Sequence, residues 1–473
     1  MLCDDVHDNG TRTVTTIERL CDNVLLEVFK HLNAKDLKNA SLVDRRWNEL
    51  IGSSALTMKK FRFRIKDERH SNRNHQNFVI KTTETTDWAT IAGSIRLGSV
   101  RSFHLQGGRY YDTIDCDALF TFLTHLTELD EVIFENMRLI DETDSIVKKI
   151  ELPQLNTLRV IGVDFTILKH IDAKALHQLQ CIANNCNSLT LTTDFEWIAE
   201  SIVRFSRIQS LTLWNCMEAF EHIDVQQIKF HLQSFEVYHI NVSPIDVSAF
   251  EHNLRQFLLL QADSLRDLKF DCSMFDVDVG HRMVNDFLRT AFNSCTSLTS
   301  LDIRNLSIPR DGCFYQSLSP NYSIRNLQVH WGFDGEVVEG VLKLCPKLTK
   351  LEADMCHLSG DGLSTIAAFS PELIYLHTFK LTGRIDSDTT FEQLTYLSVS
   401  KIEFTSEPLL DLMARCPKME QIRVDECRCT ELVMDAVLRS STMKRLRIAD
   451  KCYDILGESH EDGDERIVLR ESE

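Results

Sequence analysis

A spacing of about 26 residues between similar short apolar patterns constrains the fold of this chain more than any other feature. The pattern is an apolar residue, two others, an apolar residue, one other and an apolar residue. Its cleanest copy is IQSLTLWNC, which begins at Ile208. Thirteen further copies begin at Val100, Leu129, Leu155, Leu176, Leu232, Leu265, Leu298, Ile324, Leu348, Leu373, Leu394, Met419 and Met443. Such a period predicts an array of similar structural units rather than one globular core.

This pattern resembles the leucine-rich repeat, whose form is L-x-x-L-x-L-x-x-(N/C) and which contains one short strand and one helix. Helix-like stretches lie between the copies, and Pro346 and Pro417 are placed to end two of them. Cys216, Cys356 and Cys427 occupy the Asn/Cys place, where we expect structural rather than reactive thiols. The resemblance implies an α/β solenoid with a curved parallel sheet inside and helices outside. The helix-like stretches are FEWIAESIVRF, GEVVEGVLKLCPKL, EPLLDLMARCPKM and LVMDAVLRSSTM. Three longer intervals between copies predict lengthened helices or loops, for instance around AFEHNLRQFLLLQADSL.

A second pattern precedes the repeats, in LCDNVLLEVFKHLNAKDLKNASLVDRRWNELI at Leu20–Ile51. Apolar residues recur there at the helical period and predict three short helices. We expect Asp22 to cap the first helix, Asn33 to end it and Gly52 to end the third. About forty residues are too few to cover all of these apolar side chains, so some of them should contact another surface.

These residues resemble an F-box at Leu20, Val24, Leu25, Val28, Phe29, Leu32, Asp36, Leu37, Val43 and Trp47. Two positions depart from the pattern of that family. Cys21 stands where the family has proline, and Asp44 stands where it has cysteine. A carboxylate at Asp44 would be costly if it were buried without a partner.

An F-box followed by leucine-rich repeats resembles the substrate-receptor subunits of Skp–cullin–F-box ubiquitin ligases. The resemblance implies that the F-box docks a Skp-type adaptor, and through it a cullin–RING ligase, while the repeats hold an unknown protein substrate. Trp47 could equally belong to the core of the three helices. The family match assigns adaptor contact to Leu25, Val28, Phe29, Leu32 and Trp47, and also to Leu20 and Leu37.

The alternation of residues in each repeat strand predicts which side chains face a substrate, because neighbours of the inward apolar residues point outward. Exposed aromatic and arginine side chains are typical of protein-binding surfaces. The basic end near Arg423, Arg445 and Arg447 suggests, as a separate hypothesis, binding of an acidic or phosphorylated segment. The expected anchors are Trp214, Tyr238, Arg304, Tyr375, Phe379 and Tyr396.

Two other classes of function fit the same features. An adaptor-bound scaffold or regulator would bind the Skp-type adaptor without leading to ubiquitination. A small-molecule sensor would need a closed pocket with convergent polar groups.

The composition and the absence of catalytic and zinc-binding motifs argue against several further classes of function. The net charge of -18 argues against nucleic acid as the main partner, and no apolar run approaches the roughly 20 residues of a membrane span. The acidic N-terminal residues do not resemble a signal peptide, so we expect a cytoplasmic or nuclear protein whose fifteen Cys are reduced. No catalytic motif and no paired Cys/His zinc spacing occurs, so we expect no catalysis, no metal and no cofactor.

These patterns predict four segments. Residues 1–16 form a disordered acidic leader and 17–57 the F-box. Residues 58–455 form the repeat solenoid and 456–473 a charged tail.

Overall fold

A computed structural model of the chain places each repeat copy on one short strand. The chain divides into two compact units, residues 1–175 and 176–473. The structure describes residues 20–54, 57, 62–67, 77–82, 100–107, 112–140, 149–183, 193–239, 247–272, 277–304, 312–330, 335–382, 385–402, 407–427, 433–434, 436–437, 440–448, 451–456 and 468–472.

The first unit begins with three helices, α1 (Asp22–His31), α2 (Ala34–Val43) and α3 (Arg45–Ser53). The third helix packs against both of the others. Among the described residues, the unit also contains the short helices α4 (Cys116–Leu123) and α5 (Ile167–His170).

The strands of the first unit form one parallel sheet in the order β2, β1, β3, β5, β8. Two small parallel pairs accompany it, β4 with β6 and β7 with β9. The bounds are β1 Arg62–Asp67, β2 Asn77–Thr82, β3 Ser102–Gln106, β4 Asp112–Asp115, β5 Glu131–Glu135, β6 Met137–Ile140, β7 Ile150–Glu151, β8 Thr157–Ile161 and β9 Ile171–Asp172.

The second unit contains eleven parallel strands, β10 to β20, each hydrogen-bonded to the next in the chain. Two antiparallel strands, β21 and β22, follow β20. The bounds are β10 Gln178–Ile182, β11 Ser210–Trp214, β12 Ser234–His239, β13 Asp267–Cys272, β14 Ser300–Arg304, β15 Asn326–His330, β16 Lys350–Ser359, β17 Tyr375–Thr382, β18 Tyr396–Ile402, β19 Gln421–Cys427, β20 Arg445–Ile448, β21 Lys451–Leu456 and β22 Val468–Ser472.

Helices connect many of these parallel strands, as parallel pairing requires a crossover. A 3-10 turn spans Val225–Gln227. No helix in the described part of the chain is long and apolar enough to cross a membrane. The helices are α6 Thr193–Arg204, α7 Ala219–His222, α8 Val247–Gln261, α9 Val277–Asn293, α10 Gly312–Gln316, α11 Gly335–Leu344, α12 Gly360–Phe369 and α13 Glu407–Ala414.

The repeat apolar positions form the core. All fourteen first residues, from Val100 to Met443, are buried, as are the two apolar strand positions that follow each. This includes the least regular copy, in which Leu176 and Cys181 are completely buried. The polar exception is Thr378, whose buried hydroxyl donates to the Cys356 carbonyl oxygen at 3.2 Å. The predicted α/β repeat fold, with helices first and then a long parallel sheet, is confirmed.

The predicted helix-like stretches are helical in α6, α8, α11 and α13, while the stretch at 432–443 is described only in part. Pro346 and Pro417 follow the ends of α11 and α13, as predicted.

A left-handed backbone conformation recurs at one repeat position, which follows β5 and β11 and lies at an irregularity of pairing within β16. Asn136, Asn215 and Met355 each lie two residues after the second apolar strand position, with φ of 54°, 54° and 55°. The next residue points into the core, as Cys216 and Cys356 show by their burial. The Cys216 thiol donates to the Trp214 carbonyl oxygen at 3.1 Å, and burial raises its pKa well above the ordinary value. The structural role expected for these two thiols agrees with their burial, whereas the Cys427 side chain lies outside the described residues.

The ends of the chain add two observations. The predicted leader, 1–16, lies outside the described residues. Residues 468–472, placed by sequence in a charged tail, form β22 and pair with β21 in the sheet. Backbone pairing satisfies an otherwise open strand edge, which charged composition does not reveal. The predicted segment boundaries stay predictions.

Candidate functional surfaces

The three N-terminal helices have a small core of their own. Leu25, Phe29, Leu37 and Ile51 are at most 3% exposed. Trp47 meets Phe29 edge to face, with ring centroids 5.7 Å apart. The core therefore uses part of each helix and leaves other apolar residues outside it.

The apolar residues outside this core are exposed on α1 and α2. Val24 and Val28 lie one helical turn apart and are 43% and 41% exposed. Leu42 and Val43, at the end of α2, are 79% and 72% exposed. Exposed apolar side chains on so small a unit indicate a surface that binds another protein.

The residues predicted to contact an adaptor fall into three groups. Leu25, Phe29 and Leu37 are buried, and Val28 is exposed. Leu20, Leu32 and Trp47 are partly buried. Adaptor contact stays a prediction for all seven. Sequence reasoning missed Leu42, although Leu42 and Val43 are adjacent and cannot both face the core of one helix.

The helix ends correct three details of the sequence analysis. Cys21, not Asp22, precedes α1, and it makes no side-chain cap. Asn33 caps the start of α2, where its side chain accepts a hydrogen bond from the Asp36 amide at 2.9 Å. Gly52 lies within α3, which continues to Ser53. Helix ends are set by local hydrogen bonds that apolar periodicity does not specify.

Asp44 has a structural role that explains its departure from the family pattern. It is the N-cap of α3, and its carboxylate accepts from the Arg46 and Trp47 amides at 2.7 and 3.2 Å. The Asp44 carboxylate therefore has hydrogen-bond partners, and the free-energy cost of burying it without one does not arise. Arg46 in turn binds the Asp22 carboxylate at 2.6 Å and donates to the Leu20 carbonyl oxygen at 2.7 Å, which fixes α3 against the start of α1.

The second candidate surface is the polar sheet face of the second unit, formed by the strand residues that alternate with buried ones. Strand register brings corresponding positions side by side. The polar sheet face comprises Thr212, Trp214, Glu236, Tyr238, Asp267, Lys269, Asp271, Asp302, Arg304, Gln328, His330, Lys350, Glu352, Asp354, Tyr375, His377, Phe379, Tyr396, Ser398, Gln421, Arg423, Asp425, Arg445 and Arg447.

Two aromatic pairs on this face join neighbouring strands. Trp214 and Tyr238 lie opposite each other on β11 and β12, with ring centroids 5.1 Å apart. Tyr375 and Tyr396 stack on β17 and β18 at 4.6 Å. Phe379, the remaining predicted aromatic anchor, stacks with His357 at 6.0 Å. The structure thus groups the predicted aromatic anchors into pairs rather than one cluster.

Ion pairs join charged side chains of strands β12 to β14 on the polar sheet face. Lys269 binds Glu236 at 2.5 Å, and the predicted anchor Arg304 binds Asp302 at 2.9 Å. Burial raises the pKa of the Asp302 carboxyl, against the opposing effect of its hydrogen bond with Arg304. Arg304 therefore already has a carboxylate partner within the sheet.

A second polar cluster centres on Asp354. Its carboxylate binds His377 Nε2 at 2.9 Å and accepts from the Gln328 amide at 2.9 Å. The hydrogen bond with His377 lowers the pKa of Asp354 below its ordinary value.

Four residues of the polar sheet face are buried, although strand alternation directs them outward: Thr212, Asp271, Asp302 and Ser398. Strand alternation gives the direction of a side chain but not what covers it. Asp302 is an example of such covering, because the longer Arg304 side chain on the same strand binds its carboxylate.

In the described part of the chain, no group of three or more His, Cys, Asp and Glu side chains is placed to hold a metal ion.

Comparison with known proteins identifies the N-terminal helices. Residues 17–59 match the family model described as the F-box domain. No curated protein matches the chain.

Several solved structures resemble the chain at low similarity. An internalin from Listeria monocytogenes has 13% identity and a TM-score of 0.33, over 65% of this chain and 73% of that one. A leucine-rich-repeat protein of Leptospira interrogans has 13% identity and a TM-score of 0.35, over 74% and 78% of the two chains. The TLR13–ssRNA13 complex has 12% identity and a TM-score of 0.39 over 74% of this chain, which spans only 50% of that chain.

The strands of this chain, and not its low similarity to solved structures, identify the repeats. Every predicted copy coincides with a strand whose apolar positions are buried. The chain therefore carries an F-box domain at residues 17–59, followed by parallel strands that have the leucine-rich-repeat pattern.

Proposed function

We propose that the chain is the substrate-recognition subunit of a Skp–cullin–F-box ubiquitin ligase. The observation that carries the proposal is the F-box match at 17–59 together with exposed apolar residues on its helices. In this proposal Val24, Val28, Leu42 and Val43 contribute to the surface that docks the Skp-type adaptor. Burying their side chains against another protein would contribute about 25 cal/mol for each Å² of apolar area removed from water.

The polar sheet face is the proposed binding surface for a protein substrate. Its aromatic pairs provide flat apolar area, and its charged residues provide directional contacts. In this proposal Trp214, Tyr238, Tyr375, Phe379 and Tyr396 are contact residues.

The mechanism needs no chemistry from the chain itself. A substrate lysine and a ubiquitin-carrying enzyme held on one scaffold meet at a high effective concentration, so their reaction becomes nearly unimolecular. The chain supplies selection and geometry, and we propose that it acts in the cytoplasm or the nucleus.

Co-purification with a Skp-type adaptor and its cullin tests the proposal. We expect the full chain to retain both proteins, and a chain lacking residues 17–57 to retain neither. The single variant Val28→Asp, which places a charge on the exposed face of α1, should weaken adaptor retention without unfolding the helices. Retention of the adaptor without cullin would instead favour an adaptor-bound scaffold. Failure of the full chain to retain the adaptor would overturn the proposal.

A further inference from the structure

The two aromatic pairs of the polar sheet face form separate platforms on one surface. Trp214 and Tyr238 form the first platform, on β11 and β12. Tyr375 and Tyr396 form the second platform, on β17 and β18. Trp214 is 38% exposed, and the three tyrosines are partly exposed. Because Trp and Tyr rings offer apolar contact area at a low cost in side-chain entropy, each platform can receive an apolar side chain of a partner.

Strand register fixes the separation of the two platforms. It aligns Tyr375 with Ser210 of β11, which lies four residues before Trp214. Six strand spacings from β11 to β17 give about 29 Å across the sheet, and the four residues add about 13 Å along a strand. The platforms therefore lie about 30 Å apart on a diagonal of the face. The aligned positions between β11 and β17 are Ser234, Asp267, Ser300, Asn326 and Lys350.

This separation selects for the spacing of apolar residues in a bound segment. An extended polypeptide covers about 3.3 Å per residue, so about ten residues connect the two platforms. Once one apolar side chain is bound, contact of the second becomes intramolecular. Its effective concentration is high when the connecting residues can span the distance and nearly zero when they cannot.

The strands between the platforms carry an excess of acidic side chains. Each of their basic side chains already has a carboxylate partner: Lys269 with Glu236, Arg304 with Asp302, and Lys350 with Glu352. Three further carboxylates belong to Asp267, Asp271 and Asp354. Six acidic side chains thus accompany three basic ones, and the local net charge is negative. A net charge attracts basic residues over a distance, and this attraction requires no unpaired carboxylate.

We propose that the polar sheet face binds an extended basic segment of a protein substrate, with two apolar side chains, about ten residues apart, on the two platforms. Lys and Arg residues of the segment lie over the acidic strands between the platforms. The inference rests on the proposed function, because it specifies the charge and the apolar spacing of the substrate segment.

Fluorescence anisotropy with two labelled synthetic peptides tests the inference. Both peptides have the same length and the same composition of Lys, Ser and two Phe residues. The phenylalanines are about ten residues apart in the wide-spaced peptide and about five apart in the narrow-spaced one, which spans only about 17 Å between them. The protein is the full chain, purified in the presence of the Skp-type adaptor. We expect the wide-spaced peptide to bind at least about tenfold more tightly than the narrow-spaced one.

Changes in the wide-spaced peptide test its anchors and its charge. Serine in place of either phenylalanine should weaken binding about tenfold, because only one platform is then used. Glutamate in place of every lysine should weaken binding about tenfold or more, because the strands between the platforms are acidic. Binding of the lysine peptide should weaken as ionic strength rises.

Matched variants of the protein locate the two platforms. Either platform is removed by changing both of its aromatic residues to alanine, which should abolish the preference for the wide spacing. Leu259→Ala with Tyr322→Ala is the control, because these residues are 40% and 65% exposed at positions outside the polar sheet face. The control should keep the preference. Thermal unfolding of all variants checks that the fold is retained.

Four results would overturn the inference. They are equal or undetectable binding of the two peptides, a spacing preference that survives removal of either platform, an equal loss of preference in the control, and equally tight binding of the glutamate peptide. Adaptor retention in the same samples separates this test from that of the proposed function. Retention without a spacing preference removes only the inference, whereas loss of retention removes the ligase proposal.

Discussion

Tyr375 and Tyr396 stack across neighbouring parallel strands with their ring planes 9° apart and their centroids 4.6 Å apart. The Lys350 ammonium group lies 4.9 Å from the centroid of the Tyr375 ring. The strand ladder fixes both tyrosine backbones, so the stacked geometry follows from the repeat itself. Of the two aromatic pairs on the proposed substrate surface, this pair has the closer and more nearly parallel rings.

A double-mutant cycle measures the strength of this stack. Tyr375→Ala and Tyr396→Ala should show a coupling of about 0.5–1.5 kcal/mol in the free energy of unfolding, measured in urea. Trp214→Ala provides the control with Tyr375→Ala, because β11 and β17 are six strands apart, about 29 Å. That second cycle should be additive. Additivity of the tyrosine pair within about 0.3 kcal/mol would contradict the structure.

Met355 is expected to be a strained position. Its φ of 55° matches that of Asn136 and Asn215 at equivalent repeat positions, but methionine tolerates this left-handed region less well than asparagine. Met355→Asn should raise the free energy of unfolding by about 1 kcal/mol. The reciprocal change Asn215→Met should lower it, since it adds strain and removes a hydrogen bond to the Ala183 carbonyl oxygen. A loss of stability in Met355→Asn would show that the turn does not store strain.

Asp44 should stabilise α3 through its cap. Asp44→Ala removes the acceptor for two amides and should cost about 1 kcal/mol, while Asp44→Ser keeps an acceptor and should cost less. Amide hydrogen exchange of α3 measures the difference. Equal exchange of α3 in Asp44→Ala and in the unaltered chain would mean that the cap contributes nothing.

The His377–Asp354 pair should make stability depend on pH in the acid range. Because the folded pKa of Asp354 lies below its ordinary value of 3.8, its contribution is present above about pH 4 and is lost as the pH falls through the folded pKa. His377→Ala moves that pKa back toward its ordinary value. The difference in unfolding free energy between about pH 6 and about pH 3 should therefore be smaller in this variant. His330→Ala is the comparison and should change the difference less, because the attraction of His330 lowers the pKa of Asp354 less than the hydrogen bond with His377 does. An unchanged difference in His377→Ala would contradict the assignment.

The repeat strands were predictable because the apolar residues that each strand buries recur at a fixed spacing in the sequence. Three apolar residues at fixed spacing leave one strand orientation that covers all of them, and even the irregular copy at Leu176 follows the rule. Strand β22 was not predictable, because its pairing with β21 depends on backbone groups rather than on an apolar pattern.

The functional surfaces were predictable only in part. Helical period places Val24, Leu25, Val28 and Phe29 together on α1, but the packing of α3 decides that Leu25 and Phe29 are buried and the two valines are not. On the sheet, alternation identified the outward positions. It could not show that Arg304 is already engaged by Asp302, because that depends on how two side chains of one strand meet.

Adaptor affinity is the most direct test of the central claim that the F-box helices dock a Skp-type adaptor. Calorimetric titration should compare the full chain, the double variant Val28→Asp with Leu42→Asp, and the control Leu259→Asp, which changes an equally apolar residue that is 40% exposed on α8. We predict tight binding by the full chain and the control, and binding at least tenfold weaker in the double variant. Equal affinity of all three proteins, or no binding by the full chain, would contradict the account.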